Sequence, residues 1–113
     1  MEVRAETKHL SISPQKLRLV IDKVRGMPAQ QAMVVLEYIP KKGAHFVRKT
    51  LASAIANARN NYDLDPDNLY IAQITADEGP RLKRMKAGAR GRYKPRVRRT
   101  AHLRVILAER EEE

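Results

Sequence analysis

The sequence predicts an α+β fold, with helices packed on an antiparallel sheet and two strands running on into a long basic β-hairpin. Three observations carry this. Apolar residues recur at helical spacing three times before position 62. Two runs of strand character follow, at 69–77 and 100–108. Between them, residues 81–99 hold ten Lys or Arg among nineteen residues and no Asp or Glu. The chain carries 23 basic and 13 acidic residues, a net charge of +10, so 13 of each remain once that segment is set aside. The excess charge therefore sits in one segment, which repels itself unless a polyanion neutralises it.

Residues 4–11 mix polar and apolar character and read as a short strand. Ser13-Pro14 opens the first helix, because Ser caps and Pro fits the first turn. Leu17, Val20, Ile21 and Val24 form its apolar stripe, and Gly26 closes it. A second helix starts near Pro28, buries Ala32, Val35, Leu36 and Ile39, and ends at Pro40. The third and longest spans 41–61, with Ala44, Val47, Leu51, Ala54, Ile55 and Ala58 inward. Ala52, Ala54, Ala56 and Ala58 keep it thin enough for close packing. Turn formers crowd 63–68. In the last strand Leu103, Val105 and Leu107 alternate with His102, Arg104 and Ile106. Pairing this strand with 69–77 makes the basic segment their shared extension, and Gly88 and Gly91 near its middle suit a tip. Arms of nine or ten residues would reach roughly 30 Å. The competing reading is a basic loop between two strands.

Length and composition limit the function. A chain of 113 residues is one domain, taken as 1–113, with 79–101 projecting as the hairpin and 109–113 as a charged tail. The absence of cysteine excludes disulfides and thiolate metal sites. No apolar run approaches a membrane span, and no signal-peptide pattern follows Met1, so the expected location is cytoplasmic. A pI near 10.3 points to nucleic acid. Lys16 and Arg18 in the first helix, and Lys41 and Lys42 opening the third, oppose the helix macrodipole. A phosphate bound there would resolve the conflict, whereas solvated lysines are the ordinary alternative. Tyr93 is the single aromatic in the basic segment, which argues against base-stacking platforms. A slender ribbon with Arg on both faces suits phosphates from several RNA segments. Catalysis finds no support. His9, His45 and His102 lack ligand spacing, Ser13-x-x-Lys16 is explained by capping, and Asp63, Asp65 and Asp67 lack the glycine and distal Glu of a calcium loop.

The ordered motifs carry a family resemblance. Ser13-Pro-x-Lys16-x-Arg18-Leu-Val20, Ile21-Asp-x-x-Arg25-Gly26 and Leu51-x-Ser53-Ala-x-Ala-Asn57-Ala58 resemble the first and third helices of the large ribosomal subunit protein L twenty-two family, bacterial type. Asp77-Glu-Gly-Pro-x-x-Lys83-Arg84, Ala89-Arg-Gly-Arg92 and Arg99-Thr-x-His102 resemble its hairpin. The resemblance implies three helices on a three-stranded antiparallel sheet, two strands of which extend into the hairpin. It implies a structural constituent of the large subunit rather than an enzyme, without cofactor, small-molecule substrate or membrane partner. Its partners would be several domains of large-subunit ribosomal RNA, neighbouring ribosomal proteins, and the nascent peptide passing the hairpin tip in the exit tunnel. A role early in subunit assembly also follows.

The expected RNA-binding residues are Lys16, Arg18, Lys41 and Lys42 on the body. On the hairpin they are Arg81, Lys83, Arg84, Arg90, Arg92, Lys94, Arg96, Arg98 and Arg99, with His102 just beyond. Lys16, Arg18, Lys83, Arg84, Arg90 and Arg92 fall on matched family positions. The tunnel-lining tip would be Met85, Lys86, Ala87, Gly88, Ala89, Arg90 and Gly91, with its least basic part, Ala87-Gly88-Ala89, at the centre. There the sequence departs from the family: Ala87-Gly88 replaces a proline and a basic residue, and Tyr93-Lys94-Pro95 a small-residue and acidic pair. The alternative function is a free-standing RNA- or DNA-binding regulator.

Overall fold

A computed structural model describes residues 2–80, 82–87 and 93–109, with the backbone alone over 82–87 and 93–98. Strand β1 (Glu2–Leu10) leads into helices α1 (Pro14–Val24), α2 (Ala29–Glu37) and α3 (Lys42–Asn61). A short 3-10 turn at Pro66–Asn68 precedes β2 (Leu69–Glu78), β3 (Leu82–Ala87), β4 (Tyr93–Arg98) and β5 (Ala101–Glu109). The three helices pack on an antiparallel sheet of order β1-β5-β2, as the family resemblance implies.

Local chemistry explains each helix. Ser13 caps α1: its Oγ accepts the Lys16 N–H at 3.4 Å. Leu17, Val20, Ile21 and Val24 are fully buried, and each contributes about 1.5–3 kcal/mol by leaving water. Gly26 takes φ +79°, the left-handed exit that favours glycine. Helix α2 stops at Glu37, short of the expected Pro40, because proline forces the preceding backbone out of the helical region. In α3, Gly43 and Thr50 join the expected inner face. A Cβ on Gly43 would lie 3.3 Å from Val20 Cγ2 and 3.5 Å from Ile12 Cδ1, so α3 starts tight against α1. The buried Thr50 hydroxyl donates to the Phe46 carbonyl at 3.0 Å and lies 2.8 Å from the Thr7 hydroxyl. Of the four alanines, Ala54 and Ala58 pack inward, while Ala52 and Ala56 face solvent. Close packing needs only the inner pair.

The sheet corrects the expected strand pattern in one place. Ile106, expected outward, is 6% exposed. β5 is the central strand, and Ile106 is flanked in register by Arg4 of β1 and Gln73 of β2. Neighbours on both sides cover what would be exposed at an edge. The pairing of β2 with β5 follows the sequence expectation, from Leu69↔Glu109 to Glu78↔Ala101.

β3 and β4 pair antiparallel from Leu82↔Arg98 to Ala87↔Tyr93. Every pair is centred on position 90, so the register is symmetric about residues 88–92 of the sequence. Met85, Lys86 and Ala87 belong to the arm β3. The expected tip residues Gly88, Ala89, Arg90 and Gly91, the cations Arg81 and Arg92, and the tail beyond Glu109 lie outside the described residues.

Candidate nucleic-acid interface

Alternation along paired strands divides the arms into two faces. The register places Arg84, Lys86, Lys94, Arg96 and Arg98 with Leu82 on one. It places Lys83 with Met85, Ala87, Tyr93, Pro95 and Val97 on the other. Within β3 and β4, the period of the basic residues other than Lys83 thus matches the pleat. Arg84↔Arg96 and Lys86↔Lys94 are directly opposed like charges, each of which weakens an isolated ribbon.

The neck joins this ribbon to the body through a compact knot. Three sequence positions (79–81) separate β2 from β3, against two (99–100) between β4 and β5. The Gly79 N–H donates to the Thr100 carbonyl at 2.9 Å. The buried Thr100 hydroxyl donates to the Pro80 carbonyl at 2.6 Å. A Cβ on Gly79 would lie 2.6 Å from Thr100 Oγ1 and 3.1 Å from His102 Cε1, so only glycine fits without movement. His102 Nδ1 accepts the His9 N–H at 3.1 Å, and the two rings meet edge-on at 4.9 Å. His9 itself sits at φ +59° in an irregularity of β1. The expected RNA contact of His102 is thus limited to its other ring nitrogen.

The structure gathers several expected body residues near the neck. Arg18 and Arg99 line one cleft with Pro14, Gln15 and Glu78. Next to it, α3 begins against Ile12 and Leu17, beside the start of α1. Neither helix has an acidic residue in its first turn. Lys16 is exposed, Lys41 occupies the cap position of α3 without a side-chain cap bond, and Lys42 Nζ stands 5.8 Å from the Phe46 ring centroid.

Arg18 departs from a purely phosphate-binding role. Its Nε and Nη2 donate to the Ala76 carbonyl at 3.2 and 2.8 Å. One helical step of seven residues on, Arg25 Nη1 donates to the Ile74 carbonyl at 3.0 Å while Nη2 meets Asp22 at 3.4 Å. Both arginines close the outer edge of β2, where the Ile71 N–H is also taken by the Met27 carbonyl. On the opposite edge, Asn57 Nδ2 donates to the Arg4 carbonyl at 3.4 Å. Sequence reasoning missed Thr100 and this use of arginine, because neither leaves a local pattern.

Among the described residues, no three or more of His, Asp and Glu converge to hold a metal ion, and no helix is long and apolar enough to cross a membrane. The fold and its cationic ribbon define a class: small, basic α+β proteins whose charge is displayed along an extended arm. The chain belongs to the family described as Ribosomal protein L22p/L17e, whose profile matches residues 5–108. It is 53% identical over 109 residues to large ribosomal subunit protein uL22 of Thermomicrobium roseum, covering 96% of this chain and 92% of that one. It is 47% identical to uL22 of Carboxydothermus hydrogenoformans, with 99% of both chains covered. The Desulfotalea psychrophila protein of the same name is 50% identical over 96% of this chain and 99% of its own. This is a family of structural, non-enzymatic proteins of the large subunit in the bacterial cytoplasmic ribosome.

Proposed function

We propose that the protein binds large-subunit ribosomal RNA through its basic hairpin and the starts of α1 and α3, supports subunit assembly, and lines the nascent-peptide exit tunnel with its tip. The observation that carries this is the register. The core pair β2–β5 leads through the Gly79–Thr100 knot into β3–β4, whose Arg84, Lys86, Lys94, Arg96 and Arg98 share one face. The dimensions support a projecting arm within one domain, 1–113. The chain extends 68 × 26 × 18 Å, with a radius of gyration of 17.2 Å. A compact chain of this length would have a radius of about 13 Å. The segment proposed to face the tunnel is Met85 to Gly91, with Ala87-Gly88-Ala89 its least basic part.

The mechanism is charge neutralisation. RNA segments repel one another where they approach closely, and a ribbon of Lys and Arg between them removes that repulsion while releasing counterions. If about six cations contact phosphates, log affinity should fall with log salt at a slope of roughly −4 to −5. Filter binding of the purified chain to large-subunit RNA across a salt series measures this, and a slope near zero rejects the mechanism. Co-sedimentation at stoichiometric level with the large subunit, and crosslinks from residues 88–92 into the tunnel wall, test the rest. Recovery only in ribosome-free fractions would favour a free-standing regulator.

A further inference from the structure

One ring holds the junction between β1, the hairpin neck and the start of α1. In β1, Lys8 and His9 together stand against His102 of β5, between the pairs Thr7↔Leu103 and Leu10↔Ala101. An extra residue in one strand is a bulge, and a bulge re-aims the chain that leaves it. His9 takes φ +59° there. Left-handed backbone is unfavourable outside glycine and persists where its surroundings hold it. Here the holder is His102, whose Nδ1 accepts the His9 N–H at 3.1 Å while the two rings meet edge-on at 4.9 Å. The same ring packs on the neck: a Cβ on Gly79 would lie 3.1 Å from its Cε1 and 3.3 Å from its Nε2.

Two of the proposed RNA contacts lie on either side of this ring. In one direction Gly79 and Thr100 lead into the arms β3 and β4. In the other, the bulge leads through Leu10 and Ile12, both buried, to the Ser13 cap of α1. Pro14 of that helix and Arg99 of the neck line a common cleft. An RNA that meets both elements is bound more tightly when their spacing is set beforehand, because ordering them on binding costs affinity.

Resting on the RNA-binding reading above, we propose that His102 is a positioning residue: by holding His9 through Nδ1, it sets the hairpin neck against the start of α1. The chemistry ties this role to the protonation of the ring. A ring nitrogen that accepts a hydrogen bond carries no proton, so the neutral ring has its proton on Nε2. An imidazolium has two donors and no acceptor, and would set N–H against N–H at His9. Ala101 and Leu103 are buried in the core, so His102 stands on the sheet face away from the helices. The ionisable groups around it are Lys8 and His9 of β1, Asp77 opposite it on β2, and Arg104 two residues along β5, which meets Glu6 at 3.9 Å. Glu78 and Arg99 flank the neck itself.

The test compares the full chain with two variants. His102→Asn offers a side-chain carbonyl in place of Nδ1 but does not titrate; His102→Leu keeps bulk and cannot accept. Nitrogen NMR of the wild-type ring should show a bare Nδ1 and a protonated Nε2, and the reverse tautomer would overturn the inference. As pH falls, the His9 amide should lose protection, corrected for intrinsic exchange, in step with the titration of His102 read from its own ring-carbon shift. That amide should stay protected in His102→Asn and exchange at every pH in His102→Leu. On the alkaline side of the titration, folded His102→Leu should bind a transcript of large-subunit RNA about fivefold more weakly, for the loss of one hydrogen bond. Its salt slope should match the wild type, since no cation is removed. On the acid side, His102→Asn should bind more tightly than the wild type. A His102 that only touches phosphate gives the opposite sign there, with the wild type tighter and steeper in salt, and that result overturns the proposal, as does wild-type affinity in His102→Leu. If His102→Leu does not fold, the His102→Asn comparison decides alone. A salt slope near zero in the wild type would overturn the RNA-binding reading and the positioning role with it, while the His9 exchange would still show whether the ring holds the bulge.

Discussion

Arg18 shows how far a single residue can differ from what its charge suggests. In the sequence it is a cation in the first turns of a helix; in the structure two of its N–H groups serve the Ala76 carbonyl. Hydrogen bonds from charged donors contribute about 1.5–3 kcal/mol when shielded, and less at this exposed site. Arg18→Gln should therefore lower the thermal midpoint by about 4 °C, corresponding to roughly 1 kcal/mol for a domain of this size. The salt slope for RNA should change little, whereas Arg84→Gln should leave the midpoint alone and flatten the slope. Gly79 offers a second residue-scale prediction. Gly79→Ala places a methyl 2.6 Å from Thr100 Oγ1 and should cost about 1–3 kcal/mol in denaturant unfolding. Thr100→Ala removes the obstructing hydroxyl, so the double variant should lose less than the sum of the two singles. Neither contact was legible in the sequence, because each joins residues whose proximity only the fold creates.

At the scale of elements, legibility followed the range of the interactions. The α1 stripe Leu17, Val20, Ile21 and Val24 is a local period, and with the Ser13 cap it marked the helix to within a residue. Strand order is a matter of distant partners. Nothing in 101–109 announced that β5 would be central, and so nothing announced the burial of Ile106. The hairpin lies between these cases. Flanking strands and charge located it, but the midpoint depends on register, which composition cannot fix. That register yields a prediction of opposite sign in two assays. Arg84→Glu replaces a repulsive cross-strand pair with an attractive one opposite Arg96. In the RNA-free protein, amides of β3 and β4 should become more protected from exchange. Affinity for RNA should fall in the same variant. In the unmodified chain those amides should exchange fast while α3 stays protected, since a lone two-stranded ribbon is marginal in water; equal protection would contradict this.

For the whole molecule, the notable property is the separation of core from charge. The helices and sheet share one apolar cluster that includes Leu17, Leu51, Ile74 and Leu103, all fully buried. The cations concentrate on the hairpin arms and α3: β3 and β4 form a two-stranded sheet of their own, while α3 supplies its inner face to that cluster. Stability and RNA affinity should therefore be separable by mutation. Core truncation such as Leu51→Ala should cost about 2–5 kcal/mol in unfolding. Below its unfolding temperature, that variant should retain the wild-type salt slope. The sequence carried this division in plain form, as the restriction of net charge to a few segments. It did not reveal that the cations of β3 and β4, Lys83 apart, would fall on one face.

The capped sheet edges bear on the time before the protein meets its RNA. A chain with a three-stranded sheet has two rows of backbone groups able to recruit a strand from another copy. Here Arg18, Arg25 and Met27 occupy the row on β2, and Asn57 reaches the row on β1. Guanidinium groups on the rim add repulsion between copies. Such an arrangement suits a polypeptide that must persist alone in solution, in concentrated surroundings, until its place in a larger particle is ready: the same positive charge that commits it to a polyanion keeps it from adhering to itself.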